Sequence, residues 1–328
     1  MMRTEMRNRQ HGVALVTILL VVSIATVMAV AMIREQQAAI QVTRAFLGRG
    51  QANQYALGGE ELARQILRED FDENPERDHL AEVWADTALH FEFEQGEVNL
   101  RITDLQGLFN LNGLMESNPR HGVSRQRFVN LVNAAGGDPV IVDRVQDWLD
   151  RDNSARPMGA EDFEYLVYEP PYRAGNGLMA DPSEFFLLGV PPEIQQVLAL
   201  HLVTLPRVEA GLNINTATAA VIQSLAASLS YEAADALVQR RDEQDGFESV
   251  AEFLQSSELA GLGVAGDGLG VQSSFFEIRV IARYQDRFGY LTSIVHRHPV
   301  TGIMRVIQRD FSRNFRPEAR QREGQDRG

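Results

Sequence analysis

The chain has 328 residues and no cysteine, which excludes disulfide bonds, thiolate metal sites and cysteine nucleophiles. Its 45 acidic residues outnumber its 31 Lys and Arg residues, and the net charge of −14 disfavours nucleic acid and anionic lipid as partners. A hydrophobic content of 44% and a charged content of 23% are typical of a folded protein, and the length allows two or three domains.

An uncharged apolar stretch without proline runs from Val13 to Ile33. Its length of about 21 residues is enough to cross the hydrocarbon core of a membrane as one helix. Three arginines precede the stretch, so the positive-inside rule predicts that residues 1–12 are cytoplasmic and that the bulk of the chain lies on the other side. The chain after Arg34 is too polar for the membrane and is predicted to be held by this helix.

Three interpretations of the stretch remain open on these residues alone. It can serve as a plain membrane anchor, as a secretory signal peptide cut after Ala31, or as a prepilin leader cut between Gly12 and Val13. The small residues at Ala29 and Ala31 suit signal peptidases. The apolar run nevertheless reaches them without a helix-breaking residue, which disfavours the signal peptide.

Apolar residues continue at helical spacing through residues 34–70, which predicts that the helix extends well beyond the membrane. Such a helix, unbroken from the apolar stretch onward, would be about 80 Å long. Residues 91–94 and 98–102 then alternate apolar and polar side chains around Gly96. This alternation predicts a β-hairpin with one buried face.

A helical pattern fills residues 113–270, where seven helices are predicted, at 124–135, 139–149, 182–188, 192–201, 216–227, 231–242 and 249–255. Alternating strands follow at 275–284, 288–297 and 303–308. The predicted fold class is therefore α+β, with a long N-terminal helix on an antiparallel sheet and a large all-α domain inserted in that sheet. The predicted divisions are 1–12, 13–33, 34–112, 113–270, 271–312 and a disordered tail at 313–328.

An acidic loop between the second and third of these helices carries the strongest candidate metal ligands. Counted from Asp150, side-chain oxygens recur at the first, third and fifth places, and Glu161 stands at the twelfth, which is the ligand spacing of an EF-hand loop. Ala155 occupies the place of the required turn glycine, so a true EF-hand is not expected. The sequence still predicts a Ca²⁺ site built from Asp150, Asp152, Glu161 and Asp162. The alternative is that these acids are helix caps and solvated loop charges.

A second stretch, residues 172–184, offers further oxygen ligands at Asn176, Asp181 and Glu184. Asp181 precedes a proline at the first position of a predicted helix, and Glu184 lies in the first turn of that helix. Helix capping already accounts for both acids, so these three residues are second-tier ligands.

Residues 211–254 are similar to a helix-hairpin-helix module, the DNA-binding type of which needs a glycine-rich hairpin. The turn at 226–230 has no glycine, and only Arg240 and Arg241 are placed to meet phosphate. Strong nucleic-acid binding needs many phosphate contacts. A related sterile-alpha-like helical fold, used for packing and protein contacts, is therefore predicted. The seven scattered histidines and the lack of a Gly-x-Ser-x-Gly motif predict no catalytic role.

The short basic leader, Gly12 and the apolar helix with Leu15 resemble the start of type IV pilins and pseudopilins. Most members of that group carry a Glu five residues after the cut, where this chain has Thr17. The K-type minor pseudopilins of type II secretion systems lack that Glu and contain a large helical insert. The string Phe109-Asn-Leu-Asn112, the acidic loop after Trp148 and the closing strands are similar to that family as well.

The resemblance implies that a prepilin peptidase cuts after Gly12 and methylates Val13. It also implies calcium binding by the helical domain, an inner-membrane anchor with a periplasmic main domain, and a tip complex with the minor pseudopilins I and J that starts the pseudopilus. In a pilus, that Glu would neutralise the terminal amine of the next subunit toward the tip. A subunit at the tip has no such neighbour, so it can carry Thr17 at this position. The alternative function is a bitopic envelope protein whose helix-hairpin-helix-like region binds DNA or peptidoglycan.

Overall fold

A computed structural model describes residues 5–86 and 89–313, with side chains from residue 13 onward. Helix α1 (Glu5–Glu73) is 69 residues long, or about 100 Å, and continues without a break across the predicted cut between Gly12 and Val13. Its segment from 13 to 33 is exposed along its whole length, and among the described residues α1 is the one helix long and apolar enough to cross a membrane. The predicted tail lies outside the described residues apart from Arg313.

Five strands form an antiparallel sheet in the order β1-β2-β7-β8-β9. The nine strands of the described chain are β1 (Leu89–Phe93), β2 (Gly96–Asp104), β3 (Phe109–Asn110), β4 (Leu202–Val203), β5 (Leu212–Asn213), β6 (Leu269–Gly270), β7 (Phe275–Tyr284), β8 (Arg287–Arg297) and β9 (Met304–Asp310). The predicted hairpin and the three closing strands are confirmed, with boundaries shifted by one or two residues at most ends.

The C-terminal half of α1 packs on one face of this sheet. The four alternating residues of β7 that face it are fully buried: Phe276, Ile278, Val280 and Ala282. Small residues on α1 allow the helix to sit close, and a Cβ added at Gly59 would lie 2.7 Å from methyl groups of both Val98 and Val280. Close helix–sheet packing is therefore the reason for glycine at this position.

The chain leaves the sheet after β2 and returns at β7, and these two strands are neighbours, with Asp104 paired to Phe276. Everything between them is one insertion. Asp104 connects the two ends of the insertion, since its carboxylate accepts hydrogen bonds from Ser273 Oγ (2.6 Å), Thr216 Oγ1 (2.5 Å) and Asn213 Nδ2 (3.1 Å). Burial raises the pKa of Asp104 to about 6.

The insertion contains seven α-helices, namely α2 (His121–Ala134), α3 (Val140–Leu149), α4 (Asp162–Tyr165), α5 (Pro192–Leu198), α6 (Ala219–Gln223), α7 (Tyr231–Glu243) and α8 (Val250–Leu254). The predicted helix at 182–188 is a 3-10 helix (Pro182–Leu187). The predicted helix at 216–227 is shorter, because Thr218 caps α6 and thereby fixes its start.

Two short parallel ladders, β3–β4 and β5–β6, were not predicted within or beside this helical region. Each strand has only two residues, which is too short for an alternating pattern to be visible in the sequence. Each ladder joins distant parts of the chain beside one of two apolar cores. β3–β4 belongs to the core around α2 and α3, and β5–β6 packs against the core around α6 and α7.

Candidate metal centre

The acidic loop begins where α3 ends. The apolar face of α3 is buried, including Val145, Trp148 and Leu149, so the direction in which the chain leaves the helix is fixed by the core. The Asp150 N–H still donates to Gln146 O (3.0 Å), which holds the first candidate ligand against the last turn. At its other end the loop enters α4 directly after Glu161.

The structure brings three of the predicted ligands together. Asp150, Asp152 and Glu161 each offer a carboxylate oxygen, and these atoms all lie within 4.8 Å of one another. Ser154, at the fifth place of the spacing, donates its backbone N–H to Asp152 Oδ1 (2.8 Å) and so closes a tight turn beside the group. Three carboxylates at this separation repel one another unless a cation or a proton neutralises them.

Glu161 is the residue whose surroundings indicate a ligand most directly. It is 4% exposed, and neither of its carboxylate oxygens has a hydrogen-bond partner in the part of the chain that the structure describes. Burial, together with the nearby charges of Asp147, Asp150 and Asp152, raises the pKa of Glu161 to about 7. A buried carboxylate without a donor is costly, and a divalent cation would remove that cost.

Asn176 supplies one more oxygen beside the loop. Its Nδ2 donates to Asn153 Oδ1 (3.1 Å), and its Oδ1 is buried without a partner among the described residues. Its backbone is left-handed, with φ of 45°, a conformation that is uncommon for a residue other than glycine. Carboxylate and amide oxygens are the ligands that Ca²⁺ prefers, so the donor set present here fits calcium.

The other predicted ligands have different roles. Asp162 pairs with Arg173 (2.8 Å) and accepts the Ala174 N–H (3.0 Å). Asp181 accepts the Ser183 N–H (2.8 Å) as a helix cap, and Glu184 accepts hydrogen bonds from Trp148 Nε1 (3.0 Å) and from the Ala180 N–H (2.7 Å). All three acids therefore hold the segments around the loop in place, while the candidate centre consists of the other predicted residues.

Sequence reasoning missed three residues that shape the centre. Asp147 is fully buried and pairs with Arg156, whose guanidinium also contacts Asp150. Gly159 lies against the Asp147 carboxylate, because a Cβ there would be 1.6 Å from Oδ2. Asp147 falls in the last turn of an amphipathic helix and outside the loop spacing, so no pattern in the sequence pointed to it.

A second group of carboxylates, Asp70, Asp78 and Glu82, lies where α1 meets the sheet. It does not fit a metal, because the buried Arg297 occupies it and pairs with Asp70 (3.3 Å) and with Asp78. Burial and the neighbouring acids raise the pKa of Asp70 to about 6 and that of Glu82 to about 7, and burial also raises the pKa of Asp78.

The two arginines of the helix-hairpin-helix-like region are engaged within the domain. Arg240 pairs with Glu258 (2.6 Å), and the buried Arg241 donates to the carbonyls of Ala217 (2.6 Å) and Ile214 (3.4 Å). The region packs around its own apolar core, as predicted for a structural module.

A long apolar helix seated on an antiparallel sheet defines the class of type IV pilin-like proteins, here with a helical insertion between two neighbouring strands. Residues 107–207 and 212–272 match two family profiles, both described as type II secretion system (T2SS), protein K. The chain is 35% identical over 323 residues to type II secretion system protein K of Pseudomonas aeruginosa, covering 95% of this chain and 96% of the relative. The chain belongs to the type II secretion system protein K family.

Further similarities agree with this assignment. Protein K of Klebsiella pneumoniae is 33% identical over 302 residues, covering 86% of this chain and 92% of that protein. A chain in the crystal structure of the GspK-GspI-GspJ complex from the enterotoxigenic Escherichia coli type 2 secretion system is 25% identical with a TM-score of 0.72, over 83% of this chain and 99% of that one. The relatives are secretion-system components, and the predicted family and fold class are confirmed.

Proposed function

We propose that this minor pseudopilin lies at the tip of a periplasmic pseudopilus, where it joins the minor pseudopilins I and J and starts assembly for export of folded proteins. The similarity over nearly a whole chain of the solved K–I–J complex carries this proposal. The chain would be anchored in the inner membrane by residues 13–33, with its N-terminus cytoplasmic and its main domain periplasmic.

Two features of the chain support a terminal position. The insertion between β2 and β7 adds a bulky helical body beside the sheet, which would collide with neighbouring subunits in the interior of a helical filament. Thr17 directs its hydroxyl back to its own helix, where it donates to Ala14 O (2.9 Å) or Val13 O (3.2 Å). It therefore offers no carboxylate to the terminal amine of a subunit ahead.

Co-expression of the full chain with I, J and a prepilin peptidase tests this proposal. We expect a detergent-stable complex that contains one copy of each subunit, and an intact mass for this chain that corresponds to a methylated Val13. Omitting the peptidase should leave the leader in place and supplies the control. A chain that is cut after Ala31, or that purifies without I and J, would contradict the proposal.

We also propose that the candidate centre binds Ca²⁺ through Asp150, Asp152 and Glu161, with Asn176 as a neutral oxygen ligand. The support is the set of buried, unpartnered oxygens, foremost both oxygens of Glu161. A bound Ca²⁺ would neutralise the three carboxylates. The chain's own residues hold the site, because α3 fixes Asp150 and the start of α4 fixes Glu161.

Replacing Glu161 with glutamine should abolish most of the calcium-dependent stabilisation. At a calcium concentration one hundred times the dissociation constant, binding stabilises the native state by about 2.7 kcal/mol. The measurement is thermal unfolding of the detergent-solubilised chain in calcium and in chelator, with calorimetric titration of calcium alone. Glu164→Gln is the matched control, since Glu164 is exposed and a glutamine can still accept the Glu161 N–H. Equal calcium responses in the two variants would contradict the assignment.

A further inference from the structure

Arg156 lies in the middle of the acidic loop and contacts three carboxylates at once. Its guanidinium pairs with Asp147 (2.6 Å), with Glu116 (2.8 Å) and, at very short range, with Asp150 Oδ2. The side chain is 21% exposed, so these pairs are partly shielded from water. Arg156 therefore places one positive charge against Asp147 and Asp150, and Asp150 also belongs to the group formed with Asp152 and Glu161.

The pair with Asp147 fixes Arg156 independently of the candidate metal ligands. The Asp147 side chain is fully buried and also accepts the backbone N–H of Arg156 (3.1 Å to Oδ2). A Cβ at Gly159 would lie 1.6 Å from the same Oδ2 and 3.1 Å from the Arg156 backbone nitrogen, so there is no room for a side chain beside this contact. A buried aspartate that loses its cationic partner is costly, so Arg156 stays with Asp147 whether or not a metal is present.

Asp150 is shared between Arg156 and the candidate centre. One of its oxygens, Oδ2, is taken by the guanidinium. The other, Oδ1, is buried without a partner in the described chain, and Asp150 belongs to the group that converges with Asp152 and Glu161. The Asp150 carboxylate therefore pairs with Arg156 through Oδ2 and leaves Oδ1 available to a bound calcium ion.

We infer that Arg156 is a tethered counter-cation, which neutralises Asp150 in the ion-free loop and has to yield part of that carboxylate when calcium binds. The inference rests on the proposed calcium binding and assigns its regulation to a residue of this chain. Arg156 is a positioning residue: it lowers the calcium affinity by repulsion and by competition, and it keeps the loop folded before calcium arrives. The loop then binds calcium reversibly with the fold preserved.

Removing the positive charge of Arg156 should strengthen calcium binding, whereas deleting a contact in a binding loop usually weakens it. A cation within about 5 Å of a divalent ion weakens binding roughly tenfold even at a high effective dielectric constant. We therefore expect Arg156→Gln to bind calcium about tenfold more tightly than the wild type. Its ion-free form should melt at a lower temperature, because Asp147 loses its charge partner, and calcium should recover most of that loss.

The experiment is calorimetric titration of CaCl₂ into the full-length chain in detergent, together with thermal unfolding in chelator. Arg156→Lys keeps the charge and should bind within about threefold of the wild type, since ion-pair energies depend chiefly on charge and distance. Arg151→Gln removes the same charge from an exposed position in the loop, where solvent screens it, and should change the affinity much less.

If Arg156→Gln does not fold, two other variants are compared: the single variant Asp147→Asn, and the double variant Asp147→Asn/Arg156→Gln. The double variant removes the buried charge together with its partner and still frees Asp150. A wild-type chain that binds no calcium would overturn the calcium proposal and this inference with it. This inference alone would be overturned if the wild-type chain bound calcium and the variants that lack Arg156 bound it equally or more weakly.

Discussion

Replacing Arg297 with methionine should lower the free energy of unfolding by about 3 to 5 kcal/mol at pH 8, because it removes the central cation of a buried ionic cluster. Arg297 is 1% exposed and donates to Asp78, to Asp70 Oδ2 (3.3 Å) and to Ser273 O (3.0 Å). Its guanidinium also lies over the rings of Phe71 and Phe276, at 5.2 and 4.7 Å from their centroids. Without it, Asp70 and Asp78 remain buried without their cation.

The loss should be smaller at pH 6 than at pH 8. The pKa values of Asp70, Asp78 and Glu82 are already raised in the native state, so this state binds more protons than the unfolded chain. Their contribution to stability therefore falls as the pH rises through about 6 to 7. Removing Arg297 raises these pKa values further and strengthens the same dependence. Two further titratable groups adjoin the cluster: Asp104 interacts with Asp78, and His79 Nε2 lies 3.3 Å from Glu82. His79 in turn interacts with Arg77, Asp245 and Glu248.

Urea denaturation followed by tryptophan fluorescence measures this effect, since Trp84 lies in the cluster and donates to Glu82 Oε2 (2.6 Å). The control is Arg283→Met, which breaks a solvent-exposed pair with Glu97 (2.8 Å) and should cost far less, because water screens this pair. Equal losses for the two arginines, or a loss for Arg297 that does not vary with pH, would refute the view that a buried charge is responsible.

The body of the protein was predictable because its elements carry a regular pattern. The alternation of Phe276, Ile278, Val280 and Ala282 predicts a strand with one buried face, and these residues are buried as expected. The pairing of β2 with β7 was not predictable from such a pattern, because about 170 residues separate the strands. It depends on contacts such as those of Asp104 with Ser273 and Thr216, which no local periodicity encodes.

The candidate metal centre was likewise predictable in part. The spacing of Asp150, Asp152 and Glu161 lies within one loop, so the sequence indicated that these residues could meet. The roles of Asp147 and Arg156 depend on how α3 is oriented by its buried face, and this orientation is a result of packing. Asp162 was predicted as a ligand from its position beside Glu161, but it points to Arg173, because successive residues at a helix start face different directions.

Two buried asparagines, Asn112 and Asn213, illustrate how the insertion is held together. Asn213 donates from Nδ2 to Asp78 O (3.1 Å) and Ser273 Oγ (2.9 Å), and so joins the insertion to the pilin-like body. Asn112, in the Phe109-Asn-Leu-Asn112 string, joins three segments within the insertion. These side chains hydrogen-bond to segments that have no regular backbone pairing of their own.

Replacing Asn112 with alanine should therefore destabilise the insertion by about 3 to 5 kcal/mol, since each buried polar group left without a partner costs about 1 to 3 kcal/mol. Asn112 is fully buried; its Nδ2 donates to Met179 O (3.0 Å) and Leu205 O (2.9 Å), and its Oδ1 accepts the Met179 N–H (2.9 Å). In a Trp84→Phe background, Trp148 is the one remaining tryptophan of the sequence, and its fluorescence during urea denaturation reports the loss from within the insertion.

Asn112→Asp sharpens the test at nearly constant volume. It keeps the acceptor for the Met179 N–H but turns a second oxygen toward the two carbonyls, so it should cost at least as much as alanine. Asn99→Ala provides the control, because Asn99 is exposed on β2 and its side chain is hydrogen-bonded to the exposed His90 (2.8 Å); a change within about 0.5 kcal/mol is expected there. If aspartate were tolerated, the donors of Asn112 would not be what joins the segments, and apolar packing around Leu111 and Leu114 would have to account for the stability of the insertion.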